Sequence, residues 1–310
     1  MTPHRAVLLP ETISLLNLRP GDTVVDATCG AGGYSGAIAE AIGVSGTLIA
    51  FDQDEAALSI AKQKLDQHHQ IRFVHANFRE LGDVLRSFAI SHVNAICADL
   101  GVAGFHFDDL DRGFSFRGDV EIDARMDRRG EMTAAELLAT ATEEELGRIF
   151  REYGEEWRWR AIARAIVHDR QEDERFTGRS LRELILRVKK KRRPGERGID
   201  PATQVFQALR IAVNDELGAL RDLLPAAVQS LAPGGRLAVI SYHSLEDRIV
   251  KNFIRDEEKG CLCPPELPVC VCGRTPSLRR ITRKPIVPGE DEVRRNPRAR
   301  SAKMRVAERL

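Results

Sequence analysis

Three aspartates and a glycine-rich turn are the residues of this chain whose spacing could do chemistry. Asp26 ends an apolar, β-branched run and is followed four residues on by Gly30, Gly32 and Gly33. Helical spacing begins at Ile38, Ala41 and Ile42. Strand, glycine turn and helix bring backbone close to a ligand at the carboxyl end of a parallel sheet. A second apolar run, Thr47 to Phe51, ends in Asp52, placed to grip ribose hydroxyls or to cap a helix together with Glu55. These features predict an adenosine-containing cofactor held between Gly32 and Asp52. The glycines do not fit Gly-x-Gly-x-x-Gly, because the third position falls on Ser35 or Ala37. An acidic strand end four residues before the first glycine instead suits S-adenosylmethionine. Asp99 ends a further apolar run from Val93. An acceptor there could localise the lone pair of a delocalised exocyclic amine and aim it at a methyl donor, work done by positioning and electrostatics. Phe78, after a run at 71–76, could stack on adenine or pack in the core.

Elements that could position these residues read along the chain as alternating strands and helices. Strands are expected at 23–28, 46–52, 71–76, 93–100 and 236–241, with the last two at 278–286 and 302–308. Helices are expected at 7–18, 34–42, 55–67, 84–88 and 245–254. The pattern implies an α/β fold, a Rossmann-like parallel sheet covered by helices on both faces. Residues 104–130 read as a long loop, and 133–170 and 180–187 as helical, with Thr133 and Glu136 as a capping box. The helix at 202–231 is expected to break at Pro225. Two regions follow: a discontinuous core, 1–105 with 204–310, and an inserted loop and helical domain, 106–203.

Composition excludes several function classes. The apolar fraction is 43%, the charged fraction 30% and the formal net charge only +1, so no global basic field marks a nucleic-acid binder. Apolar runs fall short of the roughly 18 to 20 residues of a bilayer span, and Met1-Thr2-Pro3-His4-Arg5 lacks a signal-peptide core. A cytoplasmic protein with no membrane partner is expected, its oligomeric state left open with a homodimer among the choices. Cys29 and Cys97 read as small core residues. Cys261, Cys263, Cys270 and Cys272 are clustered, which suggests tetrahedral zinc or a redox-labile pair over a structural disulfide. Cys-x-Cys is tighter than the usual knuckle, and a reduced, metal-free loop is the favoured reading.

The basic run Lys189 to Arg193 by itself reads as a solvated helix end and Arg294, Arg295, Arg298 and Arg300 as a charged loop, and both become candidate RNA-phosphate contacts only with a family resemblance. His243 reads as structural before pocket-facing, and at least one of Trp157 and Trp159 as packing.

Six segments in order resemble one family: His4 to Glu11, Asp26 to Ser35, Arg112-Gly113-Phe114-Ser115-Phe116-Arg117, Phe206-Gln207-Ala208-Leu209-Arg210, Ser244-Leu245-Glu246-Asp247-Arg248 and Asn296 to Ser301. This is similar to the bacterial MraW (RsmH) family, which methylates the exocyclic N4 of a cytidine in small-subunit ribosomal RNA. The resemblance implies a class I S-adenosylmethionine-dependent methyltransferase with a seven-stranded sheet and a helical domain inserted after the fourth strand. Ribosomal RNA of the small subunit, or the 30S particle, is the implied partner. By motif position it implies cofactor contacts at Gly32, Gly33, Tyr34, Asp52, Phe78, Asp99 and His106, with Asp99 the catalytic candidate. Three segments depart from the family pattern. Tyr34 stands where the family usually has His, Val102-Ala103-Gly104-Phe105-His106 replaces Val-Ser-Ser-Pro-Gln, and Glu121-Ile122-Asp123-Ala124-Arg125-Met126 replaces Pro-Leu-Asp-Met-Arg-Met. The alternatives are a paralogue with a shifted nucleic-acid target, or a non-catalytic ribosome-assembly or RNA-binding module.

Overall fold

The computed structural model describes residues 6–102, 109–170, 176–189, 200–261, 263–264, 267–269 and 271–310. The chain divides into two compact units, Met1–Gly101 with Leu217–Leu310, and Val102–Glu216.

The first unit is built on a seven-stranded sheet. Its strands are β1 (Thr23–Asp26), β2 (Thr47–Asp52), β3 (Ile71–His75), β4 (Val93–Asp99), β5 (Leu231–Ser241), β6 (Leu278–Arg280) and β7 (Lys303–Arg309). The order across the sheet is β3-β2-β1-β4-β5-β7-β6. Strands β1 to β5 pair in parallel, while β7 runs antiparallel to both β5 and β6. Strand alternation divides the core into two layers. Val24, Leu48, Ala95 and Ala238 face one, and Val25, Ile49, Ile96 and Leu237 the other. The first layer is covered by α1 (Leu9–Leu16), α2 (Gly33–Ile42) and α3 (Glu55–Lys64), through Leu16, Ile38, Leu58 and Ala61. α4 (Leu81–Ser87), a long helix at Glu216–Ser230 and another at Ser244–Lys259 cover the second, through Leu85, Leu224 and Val250.

The second unit is helical. α5 (Ala134–Thr140), α6 (Glu143–Glu152), α7 (Trp159–Asp169), α8 (Gly178–Lys189) and α9 (Thr203–Asn214) surround Leu138, Phe150, Ile162, Ile185 and Leu209. The capping box at Thr133 and Glu136 forms, and a second one at Thr142 and Glu145 starts α6. The helix Glu216–Ser230 is α10, Ser244–Lys259 is α11 and Glu290–Arg295 is α12.

Several boundaries differ from the sequence expectation. The helical stretch at 202–231 breaks at Asp215, which takes a left-handed φ of 45°, and Pro225 lies inside α10. Helix α9 consequently belongs to the helical unit, and the core resumes at Leu217. The expected strand at 278–286 shortens to β6 plus a single bridge from Ile286 to Met304.

Family-like segments in the helical unit make contacts that explain their residue types. A Cβ on Gly113, which has φ of 67°, would lie 2.3 Å from the Asp123 backbone nitrogen. The buried Arg112 guanidinium donates to the Arg125 and Met126 carbonyls at 3.0 and 3.1 Å. Phe116 meets Phe206 edge to face at 5.9 Å, and Arg210 makes a bidentate pair with Glu216 at 2.8 and 2.9 Å.

Candidate active site

Sheet register sets the relative heights of the three aspartates. Asp26 pairs with Ala50 of β2 and with Cys97 of β4, so Asp52 and Asp99 each extend two residues beyond it on either side. The parallel strands therefore present a carboxylate at the end of β1 flanked by two more that project past it. This lies where the strand order reverses direction, the place where open α/β sheets bind ligands.

Asp26 is fully buried and braces the turn from beneath. Its Oδ2 accepts the Ser35 hydroxyl at 2.6 Å and its Oδ1 the Thr28 N–H at 3.2 Å. Burial raises its pKa to about 6, opposed by the Ser35 and Thr28 hydrogen bonds. The turn is left-handed at Gly30 and Gly32, with φ of 52° and 81°. A Cβ on Gly32 would lie 2.8 Å from Leu65 Cδ1, so the position demands glycine twice over. Asp52 ties the turn to the next strand, since its Oδ2 accepts the Gly30 N–H at 2.7 Å and its Oδ1 the Asp54 N–H at 2.9 Å. The cap of α3 is Asp54, which accepts from Ala56, and not Asp52 with Glu55. A cap must sit immediately before the first turn, and Asp52 is still in the strand.

Asp99 ends β4, and its N–H donates to Thr28 Oγ1 at 2.6 Å. Its Oδ1 is out of solvent and has no hydrogen-bond partner among the described residues. Burial raises the pKa of Asp99 to about 7; the Tyr242 hydroxyl holds it down, while Asp26 and Glu246 push it up. Tyr242, the residue just after β5, is the one that sequence reasoning missed. Its only signal was its place after a strand paired with β4. Burial and the Asp99 charge raise the Tyr242 phenol well above its ordinary range. A Cβ on Gly101 would lie 2.5 Å from the Tyr242 ring, which accounts for glycine after Asp99-Leu100. The buried Glu246 shapes the turn into α11, accepting the Tyr242 and His243 N–H groups at 2.8 and 3.2 Å. His243 Nε2 lies 3.1 Å from the other Glu246 oxygen, a structural placement. Asp247 pairs with Arg305 at 2.7 Å.

The other sequence candidates fall as follows. Tyr34 is only 3% exposed, and its hydroxyl donates to the Val7 carbonyl, pinning the residues before α1 to the start of α2. The Leu8 N–H donates to Glu292 at 2.9 Å, so segments from both ends of the chain meet beside the turn. A Cβ on Gly33 would approach Ala6 Cβ to 3.1 Å. Phe78 lies one residue after the Asn77 cap, half-buried against the second core layer. Cys29 and Cys97 are buried in the core. His106 and Cys270 lie outside the described residues.

Lys189 is not a phosphate contact. It is buried and paired with the buried Glu156 at 2.7 Å, and also donates to the Pro201 carbonyl at 3.0 Å. The amphipathic period of α8 turns its last residue inward, and Glu156 neutralises it there. Lys190 to Arg193 lie outside the described residues. Arg294 pairs with Asp291, while Arg295, Arg298 and Arg300 remain exposed. Trp159 packs in the helical core and Trp157 is 45% exposed.

A sheet of this order with one reversed strand, a glycine turn after β1 and acidic ends on β1, β2 and β4 defines a class I S-adenosylmethionine-dependent methyltransferase. The model of the MraW methylase family matches residues 1–310, and the chain belongs to that family. It is 47% identical over 310 residues to ribosomal RNA small subunit methyltransferase H of Heliobacterium mobile, covering 99% of each chain. It is 46% identical over 312 residues to the protein of that name from Heliobacterium modesticaldum, covering 99% of this chain and 98% of the relative. The protein of that name from Carboxydothermus hydrogenoformans is 46% identical over 309 residues, with coverage of 99% and 98%. Among solved structures, an rRNA methylase from Streptococcus thermophilus aligns at a TM-score of 0.43 and 12% identity, over 97% of this chain and 95% of that one.

Proposed function

We propose that the chain methylates the exocyclic N4 of a cytidine in small-subunit ribosomal RNA, in the cytoplasm, with the RNA free or assembled in the 30S particle. The observation that carries this reading is Asp99 Oδ1, a buried acceptor without a partner among the described residues, at the strand end where an amine would arrive. An orphaned buried acceptor costs free energy, and a ligand donor would offset it.

The site fits S-adenosylmethionine, which when bound supplies an electrophilic methyl group on a sulfonium. The backbone of Gly32, Gly33 and Tyr34 would line the cofactor where the glycine turn leaves no side chain in the way. Asp52 would accept ribose hydroxyls, Phe78 would flank the adenine, and Asp99 would sit toward the methionine end with His106, a contact the family pattern implies. Asp99 as carboxylate accepts a hydrogen bond from the target amine, draws its lone pair out of the ring, and takes the proton the nitrogen sheds. Tyr242 orients that carboxylate, and Asp26 keeps the turn in place from below. The helical unit, Val102–Glu216, and the exposed Arg295, Arg298 and Arg300 are the proposed RNA-facing parts.

The test is transfer of label from methyl-labelled cofactor to small-subunit particles and to naked RNA. Label on N4 of a single cytidine supports the reading, and label elsewhere points to a paralogue with another target. Cofactor binding with no transfer to either substrate leaves a non-catalytic RNA-binding module. Asp99→Ala is expected to abolish transfer, and unchanged turnover removes Asp99 from the mechanism.

A further inference from the structure

We propose that Cys261, Cys263 and Cys272 form a thiolate site for a zinc-class divalent cation, which fixes the loop between α11 and β6. The sulfur atoms of these three residues lie within 4.8 Å of one another. A zinc–sulfur bond of about 2.3 Å sets the edge of a thiolate tetrahedron at about 3.8 Å. The Cys261 and Cys272 sulfurs are 3.9 Å apart, which matches that edge and is nearly twice the length of a disulfide bond.

The surrounding backbone is built for such a group. The Val271 N–H donates to Cys263 Sγ at 3.4 Å, the kind of contact that stabilises a coordinating thiolate and fixes its orientation. Gly260, with φ of 71°, and Gly273, with φ of 63°, flank the outer cysteines in left-handed turns. A Cβ on Gly260 would lie 2.5 Å from the Pro276 nitrogen, so the two ends of the loop are in close contact. Glu257 clamps the same base, pairing with Arg274 at 2.6 Å and accepting from the Ser277 hydroxyl.

Among the loop's described residues, Val269 and Val271 are 70% and 77% exposed and Leu267 is 46% exposed, so these apolar side chains form no core. Segments without a core are commonly ordered by metal, and the binding free energy then becomes folding free energy. Binding would displace the thiol protons and leave one coordination position for a fourth donor. The site lies on a different segment from the residues proposed for methyl transfer, so it stands independently of the proposed function.

The test measures metal on the full chain. Protein expressed in zinc-supplemented medium is expected to retain about one zinc per chain by elemental analysis. Stripping with a chelator and adding Co²⁺ alone is expected to give a sulfur-to-cobalt charge-transfer band with the intense visible bands of a tetrahedral site. Cys263→Ser and Cys272→Ser should each lose most of the bound zinc and weaken the band. Binding of the methyl donor, read in the same samples, reports whether the core is folded. Absence of stoichiometric zinc together with no charge-transfer band overturns the proposal. So does unchanged zinc content in the triple serine variant, or a disulfide between these cysteines in freshly purified protein.

Discussion

The Gly30 N–H donates to Asp52 Oδ2 at 2.7 Å, so the residue that ends β2 holds the turn that follows β1. The second oxygen of the same carboxylate accepts the Asp54 N–H at 2.9 Å, at the cap of α3. One side chain thus fixes two neighbouring backbone segments before any ligand arrives. In Asp52→Asn, an amide N–H would face one of these donors. Cofactor affinity is expected to fall about 10- to 100-fold, the equivalent of one charge-assisted hydrogen bond. Titration calorimetry checks it, and an unchanged Kd would remove Asp52 from cofactor recognition.

Gly101 and Tyr242 make a second such relationship. A methyl group on Gly101 would sit 2.5 Å from the Tyr242 ring, which must then move away from Asp99. Gly101→Ala is expected to cost about 1 to 3 kcal/mol in denaturant unfolding, as overpacked cores do. Methyl transfer should fall with it. Tyr242→Phe keeps the ring and removes only the hydroxyl that holds the Asp99 pKa down, so the Asp99 titration should move above about 7. A pH–rate profile that stays in place in Tyr242→Phe would contradict the contact.

Asp99 also predicts opposite pH trends for activity and stability. Its folded pKa of about 7 lies above its ordinary 3.8, so between these values the folded chain keeps a proton that the unfolded chain has released. Stability from this group is therefore greatest at low pH and declines as pH rises through that window. If transfer uses the carboxylate, as proposed, kcat/KM, which reports the free enzyme, should rise with pH around 7. Asp99→Asn is expected to gain roughly 2 to 4 kcal/mol of stability at pH 8, with little gain near pH 4. Transfer should be lost at both. Denaturant midpoints at the two pH values are the measurement, and equal shifts at both would refute the assignment.

The Lys189–Glu156 pair predicts a structural phenotype in a stretch of sequence that looks like an RNA contact. Lys189→Met leaves Glu156 buried and alone, and should cost about 3 to 5 kcal/mol. Adding Glu156→Leu should return much of that loss. Binding of RNA by the folded double variant should keep the salt dependence of the parent chain, because Lys189 meets no phosphate. A shallower salt slope in that variant would return Lys189 to the RNA surface.

Much of the candidate site was legible in the chain because its signals are local. Asp26, Asp52 and Asp99 each interrupt an apolar run at its carboxyl end, and parallel strands carry such ends to one edge of a sheet. Gly30 and Gly32 mark a turn, and Thr133 with Glu136 a cap, because the geometry they serve spans only a few residues. What failed depended on partners far along the chain. Asp54 and not Asp52 caps α3 because β2 extends to residue 52 through its pairing with β3. The helix ended at Asp215, in a left-handed cap, and not at Pro225, and the inward turn of Lys189 was decided by its pairing with Glu156 in the helical unit. Tyr242 became part of the site only because β5 lies beside β4, across more than a hundred intervening residues. The sequence by itself determined the alternation of elements, the glycine turn and the three acidic strand ends. Tertiary structure alone decided register, and register set which carboxylate braces the turn and which is left buried and unsatisfied, because both follow from neighbours that local periodicity cannot name.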